Sequence, residues 1–261
     1  MRTIYMEIRQ KISRKKAKNF YEKKFFCKIK QIKAAFSDGK DRVALLTHAG
    51  YLLQLGGTRI AVDISPVWFP LAAESKQALD ELIGTCDAVL LTHDHGDHYD
   101  KRWLESLSVP VYVPDFLEVQ GAKAVAEGGT LKIGNVSVHF FAVAHVTVPE
   151  YGFCVEGGGQ RLLFPTDVRN YGCEIPNFGK VSAVFTHLWL GKDMALKLKN
   201  NPYISGFCDF AKGFEADQIM IAHLEDPSRN DENMWSDVHC RAVKKHLPEA
   251  ISFRVGDMIE L

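Results

Sequence analysis

The sequence predicts an α/β (α+β) sandwich, two mixed β-sheets face to face with helices outside, and two observations carry it. Short apolar runs bounded by turn residues recur through the chain, first as hairpins, then alternating with helix-period segments. The order of hairpins, α, β, α, hairpins and a closing βαβα cannot bury all its apolar faces in one sheet, so two sheets with outer helices result. At 261 residues with 46% hydrophobic side chains, the chain can bury a large core.

Residues 1–36 have few breakers and place Ile4, Ile8 and Ile12, then Phe25, Ile29 and Ile32, at helical spacing. Twelve Lys/Arg against Glu7 and Glu22 give residues 1–33 a net charge of +10. The whole chain is formally neutral with 32 basic and 32 acidic residues, so residues 34–261 carry 20 basic and 30 acidic side chains, a net of −10. This reads as a basic helical extension over 1–36 and one globular domain over 37–261. The extension would dock its Ile/Phe stripe on the acidic remainder. A nucleic acid or an anionic membrane is the alternative partner for residues 1–33.

Val43 to Thr47, Tyr51 to Leu55 and Arg59 to Ile64 read as strands, the last two joined by Gly56-Gly57. Glu74 to Ile83 reads as a helix, Ala88 to Leu91 as a strand, Lys101 to Leu107 as a helix, and Val111 to Val113 as a strand. Phe116 to Ala126 is predicted helical. Hairpins follow at Thr130 to Ile133 with Asn135 to Ala144, and at Tyr151 to Glu156 with Arg161 to Phe164. Val181 to Thr186, Gln218 to Ala222 and Ile251 to Val255 complete the strands, with helices over 192–199, 204–215 and 232–246 between them.

No apolar run approaches the roughly 18 residues of a membrane span, and the N-terminus lacks a secretory apolar stretch. Six scattered cysteines without a C-x-x-C pair read as reduced thiols, which points to a cytoplasmic protein.

Chemistry concentrates at Leu91-Thr92-His93-Asp94-His95-Gly96-Asp97-His98-Tyr99-Asp100. Three imidazoles and two carboxylates within six positions suit borderline divalent ions such as zinc, manganese or iron. One ion does not readily take four ligands from six consecutive residues, so the crowding suggests two adjacent metals. Gly96 is expected to let the loop turn sharply. Asp63, His145, Asp167 and His223 each fall at or just beyond the end of a different predicted strand, where a sandwich would gather them beside this loop.

His93-x-His95-x-Asp97-His98, followed in order by His145, Asp167 and His223, resembles the metallo-β-lactamase superfamily over about residues 42–261. The resemblance implies a four-layer αβ/βα sandwich, with His93, His95 and His145 on a first metal and Asp97, His98 and His223 on a second. Asp167 would bridge them and Asp63 would support the ligands. Thr47-His48-Ala49-Gly50-Tyr51-Leu52-Leu53, Asp63 and the closing Val255-Gly256-Asp257-Met258-Ile259-Glu260-Leu261 are similar to the L-ascorbate-6-phosphate lactonase-like branch, which includes relatives of N-acyl-phosphatidylethanolamine phospholipase D. His95 stands where diiron oxygen- and nitric-oxide-reducing relatives carry Glu, which favours hydrolysis. Asp167, where true β-lactamases usually carry Cys or another ligand, argues against antibiotic hydrolysis. Pro165-Thr166 replaces the common Gly before the aspartate, and Thr186-His187-Leu188-Trp189-Leu190-Gly191-Lys192 replaces an apolar, Gly-rich strand end.

The implied reaction is hydrolysis by a metal-bridging hydroxide. Two divalent ions (+4) against Asp97, Asp167 and a hydroxide (−3) leave a core near +1, which suits a small anionic ester, lactone or phosphoester. Asp97 would orient the hydroxide and His187 would protonate the leaving group. His48 would be a supporting or substrate-contacting group, and Arg169, Tyr171 and Lys192 would grip a phosphate. Trp68 and Phe69 wall the pocket or fill the core; His139, His239 and His246 carry no role. The alternative function is a nuclease or cyclic-nucleotide phosphodiesterase, resembling ribonuclease Z relatives, with the basic arm on RNA.

Overall fold

The computed structural model describes residues 15–261. Ile4, Ile8 and Ile12 and the basic residues Arg2, Arg9, Lys11 and Arg14 lie outside the described residues. Helix α1 covers 15–23, and α2 (Phe25–Ala35) follows after Lys24.

The first sheet contains β1 (Arg42–Leu45), β2 (Tyr51–Leu55), β3 (Thr58–Val62), β4 (Ala88–Leu90), β5 (Val111–Pro114) and β6 (Lys123–Val125). Its outer helices include α3 (Ala73–Ile83) and the short α4 (Lys101–Glu105). The second sheet contains β7 (Thr130–Ile133), β8 (Val136–Ala142), β9 (Tyr151–Gly157), β10 (Gln160–Thr166), β11 (Val181–His187), β12 (Ala216–Ala222) and β13 (Ile251–Ser252), with α5 (Tyr203–Lys212) and α6 (Asp237–Val243) outside it. A last strand, β14 (Met258–Glu260), returns to the first sheet and pairs antiparallel with β1. The strand orders are β14-β1-β2-β3-β4-β5-β6 and β13-β12-β11-β10-β9-β8-β7.

Period-two alternation divides each strand between two cores. Val43, Leu45, Tyr51, Leu53, Ile60 and Val62 meet Phe153, Phe164, Phe185 and Phe253 between the sheets. Ala44, Leu52 and Ala61 face the opposite way, toward Tyr21, Phe25, Ile29, Ile32, Leu79 and Leu82 of the outer helices. The lysine-rich helices are thus built into the outer layer: Ile29 is 0% exposed, and α2 packs beside α3.

Four elements differ from expectation. Residues 116–126 are not a helix: Gly121 takes φ +80, and 123–125 pair with β5 as a parallel edge strand. The predicted helix 192–199 shrinks to a 3-10 turn at Leu198–Asn200, since Gly191 and Asp193 both have left-handed φ. Within 232–246 the helix starts only at Asp237, where Ser236 and His239 form a capping box. The closing Val255 to Leu261 stretch contains the unforeseen β14, which completes the edge beside β1.

Candidate metal centre

Strand ends bring the expected residues together. Asp63 follows β3, Thr92 and His93 follow β4, His145 follows β8, Asp167 follows β10, His187 ends β11, and His223 follows β12. Asp63 (φ 50), Thr166 (φ 49) and His223 (φ 63) occupy the left-handed region, which costs a non-glycine residue on the order of 1–3 kcal/mol. Strain at three strand termini beside one cluster is the pattern expected where a fold aims side chains at a site.

Three overlapping groups have potential ligand atoms within 4.8 Å of one another: His93, His95, His145 and Asp167; His98, Asp167, His187 and His223; and His48, Asp97 and His223. Asp167 is common to the first two. Asp97 reaches the second group through Oδ2, which lies 3.1 Å from His223 Nε2 and 3.9 Å from His98 Nε2. The sets implied by the resemblance are therefore neighbours in space.

Asp63 organises the ligand loop from behind. Its carboxylate accepts the Thr92 backbone N–H at 2.9 Å, the Thr92 hydroxyl at 2.7 Å and His98 Nδ1–H at 2.9 Å. Since the Thr92 hydroxyl donates to Asp63, its oxygen is left to accept His93 Nδ1–H at 2.9 Å. One carboxylate thus sets the tautomer of both imidazoles and leaves each Nε2 lone pair available. His93 Nε2, His98 Nε2 and His145 Nε2 are buried without a hydrogen-bond partner. Buried polar atoms are rarely left unpaired, so these nitrogens fit a metal.

Charge supports that fit. Burial pushes His93 well below its ordinary range and takes His145 down to about 4 and His223 to about 3. They are neutral bases, the form that binds metal. His98 is the opposite: burial lowers it, but Asp97, Asp63 and Asp167 outweigh burial and raise it to about 10. Burial likewise raises Asp97, yet His98, His223 and His48 hold it well below the usual carboxylate range. The surplus of carboxylates around His98 is a demand for positive charge that divalent ions would meet.

His187 does not stand where an acid must. It is 2% exposed, with Nδ1 2.5 Å from Asp167 Oδ1 and Nε2 2.9 Å from the Tyr51 hydroxyl. With both ring nitrogens engaged it has no proton to present to a cleft, and its position is that of a brace on Asp167. His48 is fully buried, with Nε2 3.2 Å from Asp97 Oδ2, so it contacts a candidate ligand rather than substrate. Arg169 stays at the site, its Nη2 3.5 Å from Asp167 Oδ2 and its guanidinium 4.7 Å from the Trp189 ring. The Tyr171 hydroxyl donates to Trp189 O at 2.6 Å, which removes it as a phosphate grip. Lys192 lies exposed after Gly191 with no hydrogen bond or ion pair to the cluster.

Gly96 has a different reason from the one expected. It lacks a left-handed φ; instead a Cβ there would sit 2.6 Å from the Trp68 ring, so glycine is needed for close approach. Trp68 in turn donates Nε1–H to Asp226 at 3.2 Å, which ties the 66–68 turn to the loop after β12.

Three site residues escaped the sequence reading. Glu150, 1% exposed, accepts the Thr166 hydroxyl and the Asp167 backbone N–H, the latter at 3.0 Å. Burial, then Asp167, push its carboxyl up to about 8. Glu150 explains the missing glycine before Asp167, since it holds Thr166 in the left-handed conformation a glycine would adopt freely. Asp226, 1% exposed, accepts Arg229 Nε–H at 3.1 Å, and Arg229 Nη2 lies 3.9 Å from Asp97 Oδ2. Glu150 lies in a Pro-Glu pair before a strand and the Asp226 group in a polar loop, contexts with no spacing signal.

A family profile described as "Beta-lactamase superfamily domain" matches residues 42–174. The chain is 28% identical over 127 residues to a "UPF0173 metal-dependent hydrolase" of Methanopyrus kandleri, covering 45% of this chain and 53% of that protein. It is 32% identical over 123 residues to one from Myxococcus xanthus, covering 43% and 42%. The chain spans about half the length of these two relatives. Among solved structures, the metallo-β-lactamase fold protein YhfI from Bacillus subtilis superposes with TM-score 0.58 at 17% identity, covering 84% of this chain and 99% of that one. The diiron β-hydroxylase CmlA from Streptomyces venezuelae superposes with TM-score 0.59 at 17% identity, covering 85% and 54%. At such identities the likeness concerns the fold. Because the profile match spans just over half of the 261 residues, the chain belongs to the β-lactamase superfamily, and its two helix-flanked sheets are the metallo-β-lactamase fold.

Proposed function

We propose that the chain is a dinuclear metal-dependent hydrolase acting on a small anionic ester, lactone or phosphoester. The observation that carries this reading is the pair of donor groups sharing Asp167, with three buried ring nitrogens that have no hydrogen-bond partner. The names of the curated relatives, metal-dependent hydrolases, support it. Zinc suits the His/Asp set best, with manganese or iron compatible. His93, His95 and His145 would hold one ion and Asp97, His98 and His223 the other, with Asp167 between them. When bound, the ions would lower the pKa of water from 15.7 toward about 7 and offset charge developing on the attacked centre.

The protein's own residues supply order. Asp63 fixes the rings of His93 and His98, while Tyr51 and His187 fix Asp167 from one side and Glu150 its backbone from the other. Arg169 beside Asp167 offers a cation to an anionic substrate. The Thr47 to Leu53 stretch, Asp63 and the C-terminal Val255 to Leu261 support placement in the lactonase-like branch. Among the described residues no helix is long and apolar enough to cross a membrane.

The test is a panel of lactones, carboxylic esters, phosphodiesters and phosphomonoesters assayed with Zn and Mn, with His93→Ala and Asp167→Ala as controls. Metal-dependent turnover of a small ester, lost in both variants, is the expected result. Turnover confined to RNA or cyclic nucleotides would favour the nuclease reading. A protein purified without chelators that carries no transition metal would sink both.

A further inference from the structure

Helix α1 lies against the residues that hold the candidate site. Tyr21, 2% exposed, stacks on Phe69 at 4.5 Å, and Phe69 meets His48 edge-on at 5.2 Å. His48 in turn contacts Asp97. Where α1 passes the 66–70 and 227–231 loops it borders a cleft of about 700 Å³ lined by Lys15, Lys18, Val67, Trp68, Pro70 and Pro227, among others. Trp68 is the wall shared with the metal loop, packed on Gly96. Ser65, at the start of the same loop, donates its hydroxyl to Gly96 O at 2.6 Å.

The lining has a direction. Its wall toward the metal loop is the Trp68 indole, flanked by Val67, Phe69 and two prolines, and Val67 is 71% exposed, a large apolar side chain left in water. Among the described residues the lining on α1 is ammonium, and Asp231 is the one carboxylate that lines the cleft. Lys18 also lies 3.8 Å from Glu22, but both side chains are largely exposed, so that pair is weak. An apolar surface that ends at two cations on one side and, on the other, at the Trp68 ring packed on Gly96 of the metal loop fits a molecule with an apolar middle and an anion at its far end.

We propose that α1 is the specificity wall of the site. Lys15 and Lys18 bind a carboxylate, sulfonate or phosphate that the substrate carries across an apolar spacer from its scissile bond. The proposal rests on the hydrolase reading above only for the word substrate; the cleft itself binds an amphiphilic anion whether or not the metals turn it over.

Two measurements test it on the metal-loaded full chain. Hexanesulfonate, a poor metal ligand, should bind more tightly than hexanol, and Lys15→Glu/Lys18→Glu should weaken it about tenfold. The exposed Lys16→Glu, which does not line the cleft, should leave it unchanged apart from a general salt-sensitive effect. Equal binding by the double variant, or an equal loss in Lys16→Glu, overturns the proposal. Binding of phosphatidylglycerol vesicles but not hexanesulfonate, lost in the double variant alone, would keep the receptor and assign its anion to a lipid headgroup. For turnover, p-nitrophenyl esters of butyric acid and of a dicarboxylic acid share a leaving group and differ by a remote carboxylate. The double variant should raise KM for the dicarboxylic ester about tenfold with kcat and the butyrate unchanged. Failure of both esters to turn over would count against the hydrolase reading, while the sulfonate result still decides the cleft.

Discussion

Asp63 illustrates how one side chain sets the chemistry of others. Through Thr92 and directly through His98 it fixes two imidazole tautomers, so its removal should act on metal affinity before it acts on fold. Asp63→Ala is expected to weaken metal binding roughly 10–100-fold, read by competition with a chromophoric chelator. An unchanged affinity would show that Asp63 is a fold residue only. His239, far from the cluster in sequence role, makes a pH prediction. Burial lowers its pKa to about 4, and its Nδ1 accepts Ser236 N–H while Nε2–H donates to Ala195 O at 2.8 Å. The folded pKa lies below the unfolded value near 6.5, so the contribution to stability is whole above about pH 6.5 and is lost as pH falls toward 4. Urea unfolding at pH 7 and pH 5 should show wild type losing about 2 kcal/mol more over that interval than His239→Gln. Parallel losses would mean that other groups carry the acid limb.

At the scale of elements, the question is whether the lysine-rich helices are an appendage or a layer. Phe25, Ile29 and Ile32 are buried in the same cluster as Leu79, Leu82 and Ile83 of α3. Ile29→Ala should therefore cost about 2–5 kcal/mol, in one cooperative transition with the rest of the chain. Two separate transitions, with the larger one unmoved, would show an appendage. It follows that deleting residues 1–36 is a poor test of a nucleic-acid role, because it strips the cover from a core. Helices read from periodicity alone fared unevenly for a physical reason. Glu74 to Ile83 formed as expected because its stripe met the first sheet, whereas 116–126 had an equally apolar pattern but a glycine in its middle and an open sheet edge beside it.

For the molecule as a whole, the two sheets hold a cluster of carboxylates and imidazoles whose charges are only partly balanced without cations. Removing metal by dialysis against a strong chelator should lower Tm by roughly 5–10 °C relative to protein with metal at about 100 times its Kd. His93→Ala should erase most of that difference in differential scanning calorimetry. Identical melting with and without chelator would contradict a metal site coupled to folding.

The sequence by itself determined the fold class and the residue types of the ligand cluster. Alternating strands, turn glycines and a loop of His93, His95, Asp97 and His98 are local patterns that survive without coordinates, and His145, Asp167 and His223 were findable because each ends a strand. Only the tertiary structure decided what lies one layer out. Glu150 holding Thr166, His187 closed between Tyr51 and Asp167, and Trp68 lying on Gly96 join residues 16 to 136 positions apart, and Asp226 holding Arg229 depends on a loop with no periodicity. Such contacts arise from how two sheets and their loops converge at one edge, and no local spacing encodes that convergence.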